Sequence, residues 1–494
     1  MSVMDRRLFL KSAAALAAGG TLAPPPAFAD PPVILNLDTR IIEVSGKPAS
    51  VLGILQPDGT PGIAIDVAQP FRVEVRNTLD RISLIHWHGL TPPYRQDGVP
   101  YVSAPPIPAG ASQAYDFKLD FSGTFWMHSH VGLQEQELLS APLIIHDAGA
   151  PAADIQEVVV MLHDFTFENP DDILAGLKGN PTAKSATTPK AATPVAVTTG
   201  SGMSGMKAAG AKPDLNDVDY DAFLANDRTL ADPAVIRVDA GGKIRLRLIN
   251  GSAATNYWIG LGGLHGTLIA VDGTAIRPMA LGATMPLAIA QRADILIDLP
   301  AGAGAYPILA QVEGKPDRSG IVLATASAPL ARIPLLAAAP SPPLDLALER
   351  ALTAAAPLAP LPADITREVP LTGDMQAYVW MMDDQVYPNI TPIMVTAGKR
   401  VELVMQNKTM MSHPMHLHGH RFQVVGIDAQ RFPGAVRDTV LVPPLKTVTI
   451  AFDADNPGSW AFHCHNLWHL AAGMMTVIDY AGVPMPYLPP DAAG

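Results

Sequence analysis

The amino-acid sequence predicts an all-β protein made of three consecutive antiparallel β-sandwich modules. Apolar residues alternate with polar ones in short runs, and Pro, Gly and Asp turn residues bound these runs, as in antiparallel sandwiches. The clearest runs are Val33–Leu37, Ile63–Val67, Phe71–Val75 and Ala114–Leu119. The 48 prolines and 40 glycines among 494 residues favour short strands and many turns over long helices. Two motifs also repeat along the chain, and each repeat marks one module.

The first 29 residues resemble an export signal that is removed from the mature protein. Asp5–Lys11 contains an arginine pair followed by apolar residues, as in a twin-arginine signal, and Ala27–Ala29 resembles a cleavage site. Gly19-Gly20 and Pro24–Pro26 interrupt the apolar run between them, so it is too short for a stable membrane anchor. The sequence therefore predicts export of the folded chain to the periplasm by the Tat machinery.

Composition restricts the classes of partner. The chain has 34 Lys and Arg residues against 46 Asp and Glu, a formal net charge of −12, which disfavours nucleic acid and anionic lipid. A hydrophobic content of 48% with 16% charged residues indicates a well-packed globular protein. Cys464 is the single cysteine, so no intramolecular disulfide forms, and an isolated thiol in an exported protein indicates a special role.

One predicted strand occurs three times and ends at an asparagine each time. The copies are Val67–Asn77, Val238–Asn250 and Val395–Asn407. Nine residues after the asparagine, the first and third copies have His86 and His416, whereas the second has Ile259. Two residues further on, the three copies have His88, His418 and Leu261.

A second motif repeats with the same difference between the modules. Gly123–His128 and Gly458–His463 each place a histidine five residues after a glycine, and Gly304–Leu309 has a leucine there. The first and third modules therefore carry candidate metal ligands, and the middle module is predicted to be a spacer.

The repeats predict how the chain is divided. The predicted segments are a signal peptide at 1–29, the first module at 30–150, the second at 151–327, a linker at 328–345 and the third module at 346–494. Within the second module, residues 178–212 are rich in Ala, Thr, Pro, Gly and Lys, which predicts a flexible surface insertion.

Ten of the 14 histidines fall into four clusters. The ten are His86, His88, His128, His130, His413, His416, His418, His463, His465 and His469. A His-x-His pair on a strand directs both imidazoles to one face, the spacing that adjacent metal ions need. One pair is a weak signal, but four clusters in two related modules predict metal binding. The other four histidines are expected to be ordinary packing or surface residues, and of these His420 is a candidate for supporting a ligand.

Cys464 lies between two histidines, so on a strand its side chain points away from both His463 and His465. His469 and Met474 follow it closely. With one imidazole from elsewhere, these residues complete the two-histidine, cysteine and methionine set of a blue-copper electron-transfer site. The flanking histidines then face a different metal centre, so this peptide connects two copper sites.

These four motifs resemble those of the multicopper oxidases, specifically the three-domain bacterial laccases and copper-resistance oxidases. The resemblance extends to Gln291–Leu296, which is similar to a second-domain strand of the family. It also extends to Asp217–Asp227, which is similar to a segment of the copper-resistance branch. Nearly all of the mature chain is covered, apart from the insertion. The resemblance implies three consecutive cupredoxin-like (Greek-key β-sandwich) domains.

The resemblance also implies four copper ions per chain, one of type 1, one of type 2 and two of type 3. The type 1 ligands would be His413, Cys464, His469 and the axial Met474. The type 2 ligands would be His86 and His416. The type 3 ligands would be His88, His128, His130, His418, His463 and His465. The residues alone predict one cysteine-containing site and one cluster of eight imidazoles, and only the division into types 2 and 3 rests on the family.

Dioxygen needs four electrons and four protons to become water, whereas the donor supplies one electron at a time. Cys464, with His463 and His465 beside it, provides a covalent route of about 10 Å between the two sites. Asp97 matches an acidic position that the family places near the type 2 copper, although its Asp-Gly sequence alone predicts a turn. A glutamate that some relatives have after the cysteine is missing, so Glu135 or Glu137 is a candidate for a second proton-relay acid.

Three functions are compatible with this pattern. An axial Met474 gives a moderate reduction potential, which favours easily oxidised donors such as substituted phenols, dye-like compounds or Cu(I). The first function is a laccase-like oxidation of small phenolic or aromatic donors with dioxygen as acceptor. The second is a periplasmic cuprous oxidase for copper tolerance, which soft thioethers would favour, although methionine is also a common core residue. The relevant methionines are Met203, Met206, Met375, Met381, Met382, Met410 and Met411. The third is a non-catalytic cupredoxin-fold periplasmic scaffold, which would be free to lose ligands that this chain retains.

Overall fold

The described part of a computed structural model of the chain comprises residues 31–148, 154–179 and 215–483. These residues form three β-sandwiches in chain order, each with two sheets, which confirms the all-β prediction. The predicted signal and nearly all of the predicted insertion lie outside the described residues, and the exact module boundaries stay predictions. Among the described residues, none of the helices has the length and apolar character that crossing a membrane requires.

The first module places its two sheets face to face. Its strands, numbered β1 to β8, are Val33–Val44, Lys47–Leu55, Ile63–Asp66, Phe71–Asn77, Ile85–His88, Ser112–Phe117, Gly123–Ser129 and Ser140–His146. The sheet orders are β2-β1-β4-β6 and β3-β8-β7-β5. Alternate residues of β4 are buried, and Phe71 and Val73 pack with Trp87 and Phe125 in the core between the sheets.

The second module contains the helix α1, Pro170–Leu177, which Asn169 caps by accepting a hydrogen bond from the amide of Asp171. The strands of this module, β9 to β20, are Ile155–Phe165, Ala222–Ala225, Arg228–Thr229, Val235–Arg237, Lys243–Asn250, Tyr257–Gly260, Gly266–Val271, Thr274–Ala280, Thr284–Leu287, Arg292–Asp298, Ala305–Val312 and Arg318–Ala324. The sheet orders are β11-β10-β9-β13-β18-β15-β16 and β12-β20-β19-β14-β17.

The third module has the same two-sheet construction. Its strands, β21 to β32, are Ile365–Asp374, Val379–Met382, Ile393–Val395, Arg400–Asn407, His413–Leu417, Phe422–Ile427, Gln430–Arg431, Val436–Arg437, Thr439–Val442, Thr447–Asp453, Ser459–Cys464 and Met475–Tyr480. The helices α2, Ala347–Ala351, and α3, Leu467–Ala471, are short. The sheet orders are β22-β21-β24-β30-β26-β27, with β28 paired to β26, and β23-β32-β31-β25-β29.

The repeated strands are β4, β13 and β24, and each ends at a buried asparagine with the same contacts. The side-chain amides of Asn77, Asn250 and Asn407 donate to a loop carbonyl four or five residues later, at 2.7 to 2.9 Å. Their side-chain oxygens accept from the backbone amide two residues later. The asparagine therefore satisfies the polar backbone of the loop that leads to the next strand, which a buried loop requires.

The second motif pairs with that next strand in each module. The register is the same in the first and third modules and is shifted by one residue in the second, where Leu309 lies opposite Gly260. His86 on β5 lies opposite His128 on β7, and His416 on β25 lies opposite His463 on β31. In the second module, Ile259 on β14 lies opposite an alanine on β19. The common fold therefore brings histidines together in the terminal modules and apolar residues together in the middle one.

Gly419 follows a cluster histidine, and its substitution by alanine tests how tightly the third module packs. Its φ is +65°, and a Cβ there would lie 2.2 Å from the Trp460 ring, whereas Gly398, with φ +79°, has open space around it. The left-handed backbone costs either alanine variant about 1–2 kcal/mol. Overpacking adds about 1–3 kcal/mol for Gly419→Ala alone. We expect calorimetry to show a clearly larger fall in melting temperature for Gly419→Ala than for Gly398→Ala, and equal falls would contradict the packing.

Candidate metal centres

The first candidate centre surrounds the thiol of Cys464, at the end of β31. Its Sγ lies 3.7 Å from Nδ1 of His413 on β25 and 3.6 Å from Nδ1 of His469 on α3. The two Nδ1 atoms are 3.1 Å apart, and all three residues are buried. The centre of this triangle is about 2 Å from each atom, which is the length of a transition-metal bond to imidazole nitrogen. A metal ion therefore fits between the three side chains.

The short helix α3 returns the chain to Cys464. Oδ1 of Asn466 accepts from the amides of Trp468 and His469, so the helix begins directly after the strand and carries His469 toward the thiol. Met474 follows the helix and is buried, and its carbonyl accepts a hydrogen bond of 3.0 Å from the Cys464 amide. The structure therefore brings the predicted methionine beside the cysteine through a backbone contact.

Side chains that the sequence did not single out lie beside the outer nitrogens of both histidines. Nε2 of His413 lies 2.8 Å from the Thr409 hydroxyl, and Nε2 of His469 lies 3.3 Å from Oδ2 of Asp217. Asp217 comes from the second module and also accepts a 2.8 Å hydrogen bond from Tyr378. Burial acts to raise the pKa of Asp217, but His469 and the hydrogen bonds outweigh it and hold that pKa below its usual value. These contacts leave Nδ1 of each ring for a metal ion.

The second candidate centre is a cluster of eight histidines where the first and third modules meet. Seven of them face one another through Nε2. The Nε2–Nε2 distances are 3.4 Å for His86–His416, 3.4 Å for His130–His463, 2.9 Å for His418–His463 and 3.4 Å for His128–His465. Three-histidine groups within this cluster have ligand atoms close enough to share a metal ion. Neither module supplies the cluster alone.

His88 is the eighth histidine, and it has the opposite orientation. Its Nε2 lies 3.1 Å from Oδ1 of Asp438 and 3.1 Å from the Thr439 hydroxyl. Its Nδ1 is buried and has no hydrogen-bond partner. A buried polar atom without a partner is costly, and a metal ion at this nitrogen would supply the missing interaction. The ring also stacks on His416, with centroids 3.7 Å apart.

Asp97 lies against the cluster, after a short 3₁₀ helix. Its Oδ2 is 2.9 Å from Nδ1 of His418, and its backbone carbonyl accepts from Nδ1 of His86 at 2.8 Å. The carboxylate is buried, and Oδ1 is 3.3 Å from the same nitrogen of His86. The acid therefore contacts one histidine from each module.

The two candidate second acids have different surroundings. Oε2 of Glu135 lies 2.8 Å from Nδ1 of His128, and burial, together with the nearby Asp164 carboxylate, raises the pKa of Glu135 well above its usual value. Glu137 instead forms a partly exposed ion pair with Arg81 at 2.6 Å. Only Glu135 is thus in contact with a cluster histidine, and sequence position could not distinguish the two.

The remaining histidines lie outside both centres. His420 approaches the cluster through the backbone only, since its Nδ1 is 3.0 Å from the His418 carbonyl and its Nε2 is 2.6 Å from the Tyr480 hydroxyl. His146 pairs with Glu157, His163 contacts Ser140, and His265 is exposed.

Comparison with known proteins identifies the family. Models described as multicopper oxidase match residues 39–150, 156–328 and 360–481, which together span most of the chain. The chain is also 31% identical over 456 residues to multicopper oxidase MmcO of Mycobacterium tuberculosis, covering 89% of this chain and 85% of that protein. The chain belongs to the multicopper oxidase family. It is therefore a copper-dependent oxidoreductase that uses dioxygen and a reducing donor, and its relatives include laccases.

This multicopper oxidase is also similar to a copper resistance protein in sequence and to a laccase in fold. It is 27% identical over 507 residues to a copper resistance protein A homolog of Pseudomonas syringae pv. tomato, covering 81% of this chain and 84% of that protein. The solved structure of the laccase from Botrytis aclada superposes with a TM-score of 0.73 at 23% identity, covering 94% of this chain and 91% of that one. The latter likeness confirms the cupredoxin-like fold.

Burial keeps the imidazoles of both candidate centres neutral, which suits them to metal binding. It lowers the pKa of His463 to about 3 and raises the pKa of the Cys464 thiol. Burial also lowers, well below the usual value, the pKa of His88, His128, His130, His413, His416, His418 and His465. Neutral imidazoles offer a free lone pair, and the thiol must exchange its proton for a metal ion before it can act as a ligand.

These lowered pKa values predict that the metal-free protein is acid-sensitive. In the unfolded chain the histidines bind protons below about pH 6.5, whereas the buried rings do not, so stability falls as pH decreases. We expect the melting temperature of metal-free protein to decrease steeply from pH 7 to pH 5, and that of copper-loaded protein to decrease less. Scanning calorimetry on both forms tests this, and a melting temperature of the metal-free form that does not change would contradict neutral burial.

Proposed function

We propose that this multicopper oxidase is laccase-like and oxidises small phenolic or aromatic donors at the Cys464 centre while reducing dioxygen to water at the eight-histidine cluster. Bound copper supplies a one-electron acceptor in the first centre and the multi-electron reduction of dioxygen in the second. The observation that carries the proposal is the position of Cys464 between His463 and His465, whose rings both lie in the cluster. One strand end therefore belongs to both centres.

The ligand assignments follow the resemblance to the family, with four copper ions per chain. We assign His413, Cys464 and His469 to type 1 copper, with Met474 as axial ligand. His86 and His416 are assigned to type 2 copper by their positions in the family motifs, and their Nε2 atoms lie 3.4 Å apart. The type 3 pair is assigned to His88, His128, His130, His418, His463 and His465.

The electron route from Cys464 has two branches through the chain itself. The covalent backbone connects Cys464 to His463 on one side and to His465 on the other, over about 10 Å. A hydrogen bond of 2.9 Å from Nδ1 of His463 to the Cys464 carbonyl adds a shorter connection. In this scheme Cys464, His463 and His465 carry electrons as well as bind metal.

Two buried acids at the cluster are proposed to deliver the protons that dioxygen reduction needs. Asp97 contacts His418 through its carboxylate and is the proposed proton-relay residue near His86. Glu135, beside His128, is the proposed second acid, because its raised pKa favours a protonated carboxyl that can release a proton. It replaces the glutamate that some relatives have after the cysteine.

Oxidation of Cu(I) is a second candidate function, and the surroundings of His469 favour it. The outer nitrogen of His469 is buried against the Asp217 carboxylate, so a bulky phenol has no open path to that ring edge. A carboxylate beside a proposed type 1 ligand attracts a cationic donor. Similarity to a copper resistance protein A homolog also supports Cu(I) as the donor. In either case we propose export through the Tat route to the periplasm, as the N-terminal sequence indicates.

The electron route predicts the behaviour of Cys464→Ser. A serine hydroxyl is a poor copper ligand, so the variant should lose the strong absorption near roughly 600 nm that a copper–thiolate bond gives. Oxygen uptake should stop with a phenol and with Cu(I), while the copper content falls by about one ion of four. Spectroscopy, metal analysis and an oxygen electrode measure these effects, and sustained oxygen uptake would refute the route.

The choice between donors predicts the behaviour of Asp217→Asn. Removing the negative charge should slow Cu(I) oxidation by about 10-fold or more while phenol oxidation changes less, because only the cation is attracted by the carboxylate. The matched control is Asp219→Asn, because Asp219 lies in the same segment but is 97% exposed. Rates of oxygen uptake with each donor decide the question. Equal slowing with both donors would show that Asp217 acts through His469 and would refute its role in attracting Cu(I).

A further inference from the structure

The second module has no cluster histidine, yet its Arg292 reaches the cluster through Asp438. Arg292 is the first residue of β18 and is buried. Its Nε donates to the Thr124 carbonyl of the first module at 3.2 Å, and Nη1 donates to the Ala290 carbonyl at 3.1 Å. Both terminal nitrogens donate to the Asp438 carboxylate of the third module, with 2.7 Å from Nη1 to Oδ1. One guanidinium therefore contacts all three modules.

Asp438 contacts one cluster histidine from each terminal module. Its Oδ1 lies 3.1 Å from Nε2 of His88 and accepts from the Thr439 hydroxyl at 2.9 Å. Its backbone carbonyl accepts from Nδ1 of His416 at 2.8 Å. Because Arg292 binds both carboxylate oxygens in a fork, the plane of the carboxylate is fixed relative to the His88 ring.

These contacts determine which nitrogen of His88 carries a proton. A neutral imidazole has one N–H and one lone pair, and an ionised carboxylate only accepts hydrogen bonds. The contacts therefore favour the tautomer with the proton on Nε2 of His88, facing Asp438, and the lone pair on Nδ1, the atom without a partner. The seven other cluster histidines instead face one another through Nε2.

We infer that Arg292 and Asp438 are positioning residues that select Nδ1 of His88 as its ligand atom, so the ligand-free module helps to build the cluster. The inference rests on the proposed role of His88 as a copper ligand. Carboxylates that orient a metal-binding histidine in this way change metal affinity when they are removed. A buried ion pair is weak evidence of added stability, because desolvation of the two charges offsets their attraction. A positioning role therefore explains the Arg292–Asp438 pair better than a stabilising one.

The test is Asp438→Asn with Asp294→Asn as its matched control. Asp294 is also buried and accepts from two arginines, Arg245 and Arg247, and from the Thr124 hydroxyl, but it contacts no cluster histidine. The asparagine amide at 438 can donate to Nε2 of His88 and so favours the reverse tautomer. We expect copper in the cluster to be bound about 10- to 100-fold more weakly in Asp438→Asn, measured by chelator competition. The absorption of the Cys464 centre should stay unchanged in Asp438→Asn. In Asp294→Asn, both this absorption and the copper affinity of the cluster should stay unchanged.

Arg292→Lys provides a second variant, because it keeps the charge and removes the fork. We expect weaker copper binding in the cluster than in the parent protein, and crystals of the copper-loaded variant should show a rotated His88 ring. Parental copper affinity in Asp438→Asn, or in Arg292→Lys if the former fails to fold, would overturn the inference. An equal loss in Asp294→Asn would overturn it too. A parent protein whose cluster binds no copper would instead refute the proposed function.

Discussion

Both candidate metal centres depend on the alternation of side chains along one strand end. Cys464 points to one side of β31 and its histidine neighbours to the other, so three consecutive residues enter two separate sites. A helix at this position would spread the three side chains around its axis, and the shared boundary would be lost. The rest of the architecture completes each site: β25 and α3 bring imidazoles to the thiol, and the first module brings four histidines to the cluster.

The eight-histidine cluster also depends on exclusion of water at the contact between modules. Buried imidazoles stay neutral and keep their lone pairs, but such a polar interior is stable only when its atoms find partners. Outer ring nitrogens find them in carbonyls, hydroxyls and carboxylates such as Asp97, Glu135 and Asp438. The inner nitrogens find few partners, and His88 Nδ1 finds none. The protein fold thus prepares a site whose remaining requirement is a cation.

Sequence reasoning predicted the modules and the candidate ligands because both rest on local patterns. Alternating apolar residues and the repeated asparagine strand indicated the sandwiches, and the rare Cys464 among clustered histidines indicated copper. It missed Asp217, Thr409 and Asp438, because a polar residue in a loop looks ordinary until distant strands bring it to a ring nitrogen. For these residues the sequence held one signal, which is the similarity of the segment beginning at Asp217 to the copper-resistance branch. The orientation of His88 depends on an arginine about 200 residues away, which no local pattern contains.

The asparagine that closes β4, β13 and β24 makes the same hydrogen bonds in all three modules, including the one without histidines. This loop-closing asparagine therefore works without any histidine nearby, since the middle module keeps it and has apolar residues where the other two have imidazoles. Charged side chains of that module instead contact its neighbours, as Arg292 does at Asp438. The backbone framework and the histidines are thus separate features of the sequence, and a module of this fold can keep the first without the second.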